Sequence, residues 1–150
     1  MATYGVEITG LDEITSAFKK APAIVKKYGN EAIKKSVLTL LAHAREEAPV
    51  DQGFLRGPGM QFSFGELTGL LENKAPYAMY VHEGTQPHYV PISAIQGWAD
   101  RHGIPAFLVQ RSIKQKGTKA QPFFKDSIEA SQSQIDKFFN DALDYITNAL

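Results

Sequence analysis

Residues 22–47 read PAIVKKYGNEAIKKSVLTLLAHAREE, and apolar side chains recur through them at the three- and four-residue spacing of a helix. The apolar stripe comprises Val25, Tyr28, Ala32, Ser36 or Val37, Leu40 or Leu41, and Ala44. Pro22 suits the first turn of a helix, whereas Pro49 disfavours helical geometry at the residue before it. We therefore expect a long helix from Pro22 to about Glu47, with a kink or a break allowed at Gly29 because glycine costs about 1 kcal/mol against alanine.

Short strands are predicted on both sides of this helix. Residues 4–8 alternate at a period of two. Met60, Phe62 and Phe64 alternate with polar residues, which indicates a strand with one apolar face. A Gly-Glu pair then allows a hairpin into a second strand at 67–72, whose facing the pattern leaves open.

Further helices are predicted from spacing and from glycine stop signals. Their ranges are 11–20, 77–82 (a single turn), 93–103, 107–116 and 123–150. Ser93 is expected to cap its helix, and Trp98 to point into the core. The predicted fold is one α+β domain over residues 1–150. A small antiparallel sheet packs against the long N-terminal helix, with further short helices and a long C-terminal helix.

Doubled aromatic residues mark the predicted C-terminal helix at two places, Phe123-Phe124 and Phe138-Phe139. Most of these rings are expected in the core. Because two consecutive residues diverge around a helix, one of each pair is a candidate for contact with a neighbouring subunit. Tyr77, Tyr80 and Val81 form an apolar face on the single-turn element, and we expect Tyr80 to be a core residue.

Composition excludes several classes of protein. The chain carries 16 Lys and Arg against 16 Asp and Glu, so no overall charge favours nucleic acid or an anionic membrane. It has no cysteine for disulfides or thiolate chemistry. No apolar run approaches the roughly 20 residues that span a bilayer. The N-terminal residues lack the features of a secretory signal, so a protein made and used in a cytosol is expected.

The neutral total hides two charged segments. Residues 106–125 hold five cationic side chains and no acid, whereas residues 126–150 hold five acids and one lysine. Either these are solvated faces that pair with each other, or they are complementary surfaces on neighbouring subunits of a ring.

The sequence His82-Glu83 followed by His88 only superficially matches a zinc-protease motif. That motif places its second histidine four residues after the first, on one helix face. Gly84 and Pro87 prevent one helix from spanning this pair, so these side chains are expected to make loop contacts. We predict no metal site and no cofactor.

Asp51 and Glu83 are the acids that lie in motif-like loops. Catalysis by paired carboxylates needs two acids held in a cleft with different environments. Each acid has a structural use instead: Asp51 can cap a turn, and Glu83 can pair with Arg56. We therefore predict no catalytic residue.

Three blocks of sequence carry a resemblance to a known family. They read Ala48-Pro-Val-Asp-Gln-Gly-Phe-Leu-Arg56, Tyr77-Ala-Met-Tyr-Val-His-Glu-Gly-Thr85 and Gly117-Thr-Lys-Ala-Gln-Pro-Phe-Phe124. In this order they resemble the minor tail-component family of long-tailed bacteriophages, over roughly residues 4–130. Gln52 stands where that family usually has threonine, and Gly57-Pro58-Gly59 stands where its pattern usually continues into a strand.

The resemblance implies a virion protein without an active site, made in the bacterial host cytoplasm, at the tail or the head–tail junction. Its partners would be tail-tube or terminator proteins and head-connector proteins, with self-association into a ring that is often six-fold, and no membrane. Docking would order loops that are mobile in the free subunit, here Asp51–Gly59 and Gly84–Pro91. The residues expected to interact are Asp51, Gly53, Arg56, Glu83, Gly84, Thr85, Arg111, Lys114, Lys116 and Lys119. The last four, which are basic, could also hold the phosphates of passing DNA without reading its sequence.

Other functions stay open at this point. They are a head-side minor capsid component, a small metal-dependent hydrolase and a host-directed binding module carried on a prophage.

Overall fold

The computed structural model describes residues 4–9 and 21–149. The helices and strands are β1 (Tyr4–Thr9), α1 (Pro22–Glu47), β2 (Met60–Gly65), β3 (Thr68–Asn73), α2 (Ala78–Glu83), α3 (Ile92–Arg101), α4 (Ala106–Lys116) and α5 (Phe123–Ala149). The helix predicted at 11–20 lies outside the described residues. The chain divides into two compact units: unit 1 holds β1 to β3 with α1 and α5, and unit 2 comprises Tyr77–Pro122.

Unit 1 confirms the predicted α+β class. Its three strands form an antiparallel sheet in the order β1-β3-β2. Helix α1 begins at Pro22 and ends at Glu47 as predicted, because Ala48 takes the extended geometry that the following proline favours. The C-terminal helix α5 is nevertheless slightly the longer of the two, with 27 residues against 26.

The core of unit 1 lies where α1 packs against α5 and the sheet. The buried stripe of α1 follows the predicted spacing and consists of Val25, Gly29, Ala32, Ile33, Ser36, Val37, Leu40, Leu41 and Ala44. The helix runs without a break through Gly29, which is itself buried. The next residue, Asn30, accepts a hydrogen bond from the backbone N–H of Leu67 (2.8 Å), which ties the hairpin turn to the helix.

The sheet register settles the facing that the sequence left open. Gly69, Leu71 and Asn73 are buried in β3, and their partners in β2 are Phe64, Phe62 and Met60. Directly opposed residues share a face, so β2 has the one-sided alternation that was predicted. On this face of β2, Met60 is buried, whereas Phe62 and Phe64 stay 44% and 39% exposed because β2 is an edge strand.

The aromatic pair at the start of α5 lies in the core, as expected for most of these rings. Phe123 and Phe124 are both buried, with ring centroids 4.7 Å apart. The ring of Tyr4 lies 5.7 Å from that of Phe124, so β1 contributes to its environment. The alternative that one of these two rings contacts a neighbouring subunit therefore does not hold for Phe123 and Phe124. Phe138 and Phe139 are both half-buried.

Unit 2 contains three helices and short backbone links between them. Its links include paired backbone hydrogen bonds between Thr85 and Thr118 and a bond from the Gln121 N–H to the Val81 carbonyl. Gly103 and Gly117 follow α3 and α4 with positive φ angles, as the predicted stop signals require.

The expected cap of α3 is wrong. The helix begins at Ile92 after the extended Pro91 and has no side-chain cap, so Ser93 lies inside its first turn. The reason is that Pro91 itself takes the N-cap position, with the extended backbone that this position adopts, so Ser93 lies two residues too late to cap. None of the helices in the described ranges is both long and apolar enough to cross a membrane.

Candidate functional site

A groove in unit 2 is built largely from the second motif block, and we call it the tyrosine groove. It has a volume of about 760 Å³ and is lined by Tyr77, Tyr80, Val81, Thr85, Gln86, Pro87, His88, Thr118, Lys119 and Gln121. Two segments distant in sequence form it. The Thr85–Thr118 bridge and the bond from Gln121 to Val81 hold them side by side.

The two tyrosines of the motif are surface residues. Tyr77 and Tyr80 are 46% and 56% exposed, so the expectation that Tyr80 belongs to the core is wrong. The reason lies in the facing of α2. Ala78 and His82, four residues apart and hence on one face, are the buried pair, which turns Tyr80 to the opposite side.

The Glu-Gly-Thr turn after α2 leads into the groove through Thr85, which is one of its lining residues. Gly84 has φ of +72°, and a Cβ there would lie 2.6 Å from the Thr118 carbonyl oxygen, so the turn requires glycine. The hydroxyls of Thr85 and Thr118 are 2.9 Å apart. The Glu83 carboxylate lies 2.9 Å from Nδ1 of His82. Glu83, Gly84 and Thr85 thus come together with the segment that carries Lys119.

The predicted interaction residues of the first block lie in unit 1, on the loop between α1 and β2. Arg56 donates hydrogen bonds to the carbonyls of Ala48 (2.9 Å) and Glu46 (3.1 Å), across the end of α1. Its pairing with Glu83 stays a prediction. Gly53 has φ of +82°, which glycine adopts readily, and its carbonyl accepts from the Gly57 N–H (2.9 Å).

Two buried residues fix this loop to the rest of unit 1. Leu55 is buried, and its carbonyl accepts a hydrogen bond from the side chain of buried Asn73 (2.7 Å). Asp51 lies at the surface, as do the apolar side chains of Val50 and Phe54. The loop therefore presents apolar and acidic groups on an internally hydrogen-bonded frame, while its mobility stays a prediction.

The four predicted basic residues all lie in unit 2. Arg111, Lys114 and Lys116 are on α4, and Lys119 follows in the loop; all four are exposed. Within residues 4–9 and 21–149, no carboxylate lies within the 4.0 Å of an ion pair with any of them. They are available to an external anion.

A second groove in unit 2, which we call the tryptophan groove, was not predicted. Its volume is about 490 Å³, and its lining is Ile95, Trp98, Ile104, Leu108, Val109, Ser112, Ile113, Gly117 and Thr118. Trp98 is 37% exposed and stacks on His102 at 4.0 Å, so the expectation that it points into the core is wrong. Unit 2 is too short to bury both faces of α3 and α4, and Ala99 and Ala106 are the buried residues of those helices.

The histidines near the motif have hydrogen-bond partners. Nδ1 of His82 faces Glu83, and Nδ1 of His88 lies 2.8 Å from the Gln86 carbonyl. In the described part of the chain, no group of three or more potential ligand side chains could hold a metal ion.

No protein-family model matches this chain, and the comparisons with curated proteins and with solved structures gave no match.

Proposed function

We propose that this chain is a structural protein of a bacteriophage or prophage, a minor tail or neck protein that completes the tail or joins it to the DNA-filled head. It acts by ring assembly and docking. Its partners are tail-tube or terminator proteins, head-connector proteins and further copies of itself. Its place is the virion, at the tail or the head–tail junction.

The observation that carries this proposal is the exposure of the tyrosine groove. Tyr77 and Tyr80, the aromatic residues of the block Tyr-Ala-x-Tyr-Val-x-x-Gly-Thr, line an open groove instead of filling a core. Exposed tyrosines that combine an apolar ring with a hydroxyl are typical of the energetic centres of protein interfaces. A docking protein needs such a surface.

Unit 2 as a whole supports the same conclusion. Nine large apolar side chains in it are more than one-third exposed: Tyr77, Met79, Tyr80, Tyr89, Ile92, Trp98, Ile104, Phe107 and Leu108. Exposed apolar surface of this kind typically marks a site of protein association. Assembly would remove it from water.

Contact with passing DNA is a further part of the proposal, supported by the exposed basic residues of unit 2, for which residues 4–9 and 21–149 supply no ion-pair partner. Replacing Lys114, Lys116 and Lys119 together by glutamate is expected to reduce the retention of packaged DNA, because phosphate binding by cations is electrostatic. Retention equal to that of the parent virion would remove DNA contact from the proposal and leave docking intact.

The test of the main proposal is electron microscopy of particles from a phage or prophage that lacks this gene. DNA-filled heads lying beside separate tails are expected, and abnormal tail length would place the protein at tail completion. Normal infectious virions would refute the proposal. Metal analysis of the purified protein separates it from a metal-dependent hydrolase, and a stoichiometric catalytic metal would favour that alternative.

A further inference from the structure

We propose that the tryptophan groove is the docking site for an acidic amphipathic helix of a partner protein. The inference deepens the proposed function and rests on it only in taking the partner to be another virion protein. Its basis is a combination of shape, exposed apolar surface and one-signed charge.

The groove has the architecture of a helix-binding site. Helix α3 contributes Ile95 and Trp98 to its lining, and α4 contributes Leu108, Val109 and Ile113. Apolar side chains presented by two neighbouring helices can accept the apolar face of a third helix, whose anchors recur at three- and four-residue spacing. Only Ser112 and Thr118 bring side-chain hydroxyls into the lining.

The apolar residues of this groove are accessible. Trp98, Ile104 and Leu108 are 37%, 40% and 44% exposed, respectively. The indole of Trp98 is held by its stacking on His102, and Nδ1 of His102 lies 2.8 Å from the Trp98 carbonyl. A tryptophan in a fixed orientation at an open surface loses little conformational freedom on binding, which favours a role as an interface anchor.

The charge beside the groove selects the partner. Lys116 follows Ser112 by four residues and Ile113 by three, so it continues the groove-facing row of α4. Arg111 follows Leu108 by three residues, so these two side chains are neighbours on α4. The sequence has no acid between Asp100 and Asp126, and neither cation has an ion-pair partner within the described ranges.

These features together favour an acidic helix over DNA. Phosphates would satisfy the cations, but a duplex backbone offers no apolar side chains to fill the lining. A helix with leucine-like residues on one face and glutamates beside them would fill the apolar lining and also pair with the cations. The acids are expected near the end of the groove formed by Gly117 and Thr118, next to Lys116.

The chain supplies its own probe, because Trp98 is the single tryptophan. The experiment follows Trp98 fluorescence of the full-length protein during titration with a short synthetic helix that carries leucines along one face and glutamates along the other. A saturable blue shift is expected. A matched peptide with lysines in place of glutamates is expected to bind roughly tenfold more weakly or worse, and duplex DNA is expected to leave the emission unchanged.

Two pairs of adjacent variants locate the binding. Leu108→Glu is expected to abolish the shift, whereas Phe107→Glu, at a neighbouring exposed residue outside the groove, is expected to leave it unchanged. Lys116→Glu is expected to weaken binding of the acidic peptide and to strengthen binding of the basic one. Lys114→Glu, on the opposite side of α4, is the control of equal charge. Because Lys116 is exposed, its variant keeps the test valid even if Leu108→Glu disturbs folding.

Several outcomes would overturn the assignment. They are no shift with the acidic peptide, equal binding of both peptides, or equal effects of Lys116→Glu and Lys114→Glu. A shift on simple concentration of the protein would show that a second copy covers the groove. The gene-deletion experiment tests the phage role independently of peptide binding. Separated heads and tails without peptide binding would refute only the groove assignment. Peptide binding with normal virions would refute only the phage role.

Discussion

Replacing Gly69 by alanine is expected to destabilise unit 1 by about 2 kcal/mol. Gly69 lies in the central strand β3, on the face that packs against α1. A Cβ built there would be 2.5 Å from Cγ2 of Val37 and 2.8 Å from Cγ2 of Ile33. Both atoms belong to buried β-branched side chains with little rotamer freedom, so the helix or the strand must move. Overpacking of this kind typically costs about 1–3 kcal/mol.

The assay is urea unfolding followed by far-ultraviolet circular dichroism, which reports mainly the long helices α1 and α5. The midpoint should fall with little change in slope. For a chain of this length, a loss of about 2 kcal/mol corresponds to a fall in Tm of roughly 4–8 °C. Trp98 fluorescence, measured in parallel, follows unit 2 and serves as an internal reference.

Two controls separate overpacking from a general effect of losing glycine. Gly97→Ala makes the same change at an exposed position in α3, where the nearest atom is the flexible end of Arg101 at 3.3 Å. It is expected to be neutral or to stabilise by up to about 1 kcal/mol, because alanine favours helix. Val37→Ala removes the atom nearest to the new Cβ, so the double variant should cost less than the sum of the two single changes. Additive effects, or a loss below about 0.5 kcal/mol for Gly69→Ala, would refute the explanation.

The remaining predictions concern one buried amide and two residues of the motif. Asn73→Ala should cost about 2–4 kcal/mol in the same assay, because it removes buried hydrogen bonds to the Leu55 carbonyl and from the Ala75 N–H; a loss below about 1 kcal/mol would contradict this. Tyr80→Ala should change stability by no more than about 0.5 kcal/mol while weakening assembly in a complementation test, and a large fall in Tm would return Tyr80 to the core. Glu83→Ala should likewise leave the fold intact but reduce the yield of joined particles, and full assembly would give Glu83 a purely local role.

Most helices and strands of this fold can be predicted from local sequence patterns. The stripe of α1 and its ends at Pro22 and Glu47, the hairpin of β2 and β3, and the long run of α5 follow from spacing, proline and glycine. These signals act within a few residues, through backbone sterics and through the repeat of helix or strand. The α+β class follows from their order.

The sequence did not predict which elements pack against each apolar face. Phe123 and Phe124 are buried, whereas Tyr80 and Trp98 are exposed, although the sequence pattern did not distinguish these four aromatic residues. The sequence could have suggested the outcome for Tyr80, since Ala78 and His82 share the opposite face of α2. The tryptophan groove had no such local signal, because its walls come from α3 and α4 together.

The sequence alone therefore determined which segments are helices and strands, which faces of them are apolar, and where the basic residues cluster. Only the tertiary structure decided which apolar faces are covered and which line grooves. The physical reason is that periodicity is a property of one segment, whereas burial depends on a second segment reaching it. In unit 1, α1, α5 and the sheet are long enough to cover one another; in unit 2, short helices leave their aromatic residues exposed.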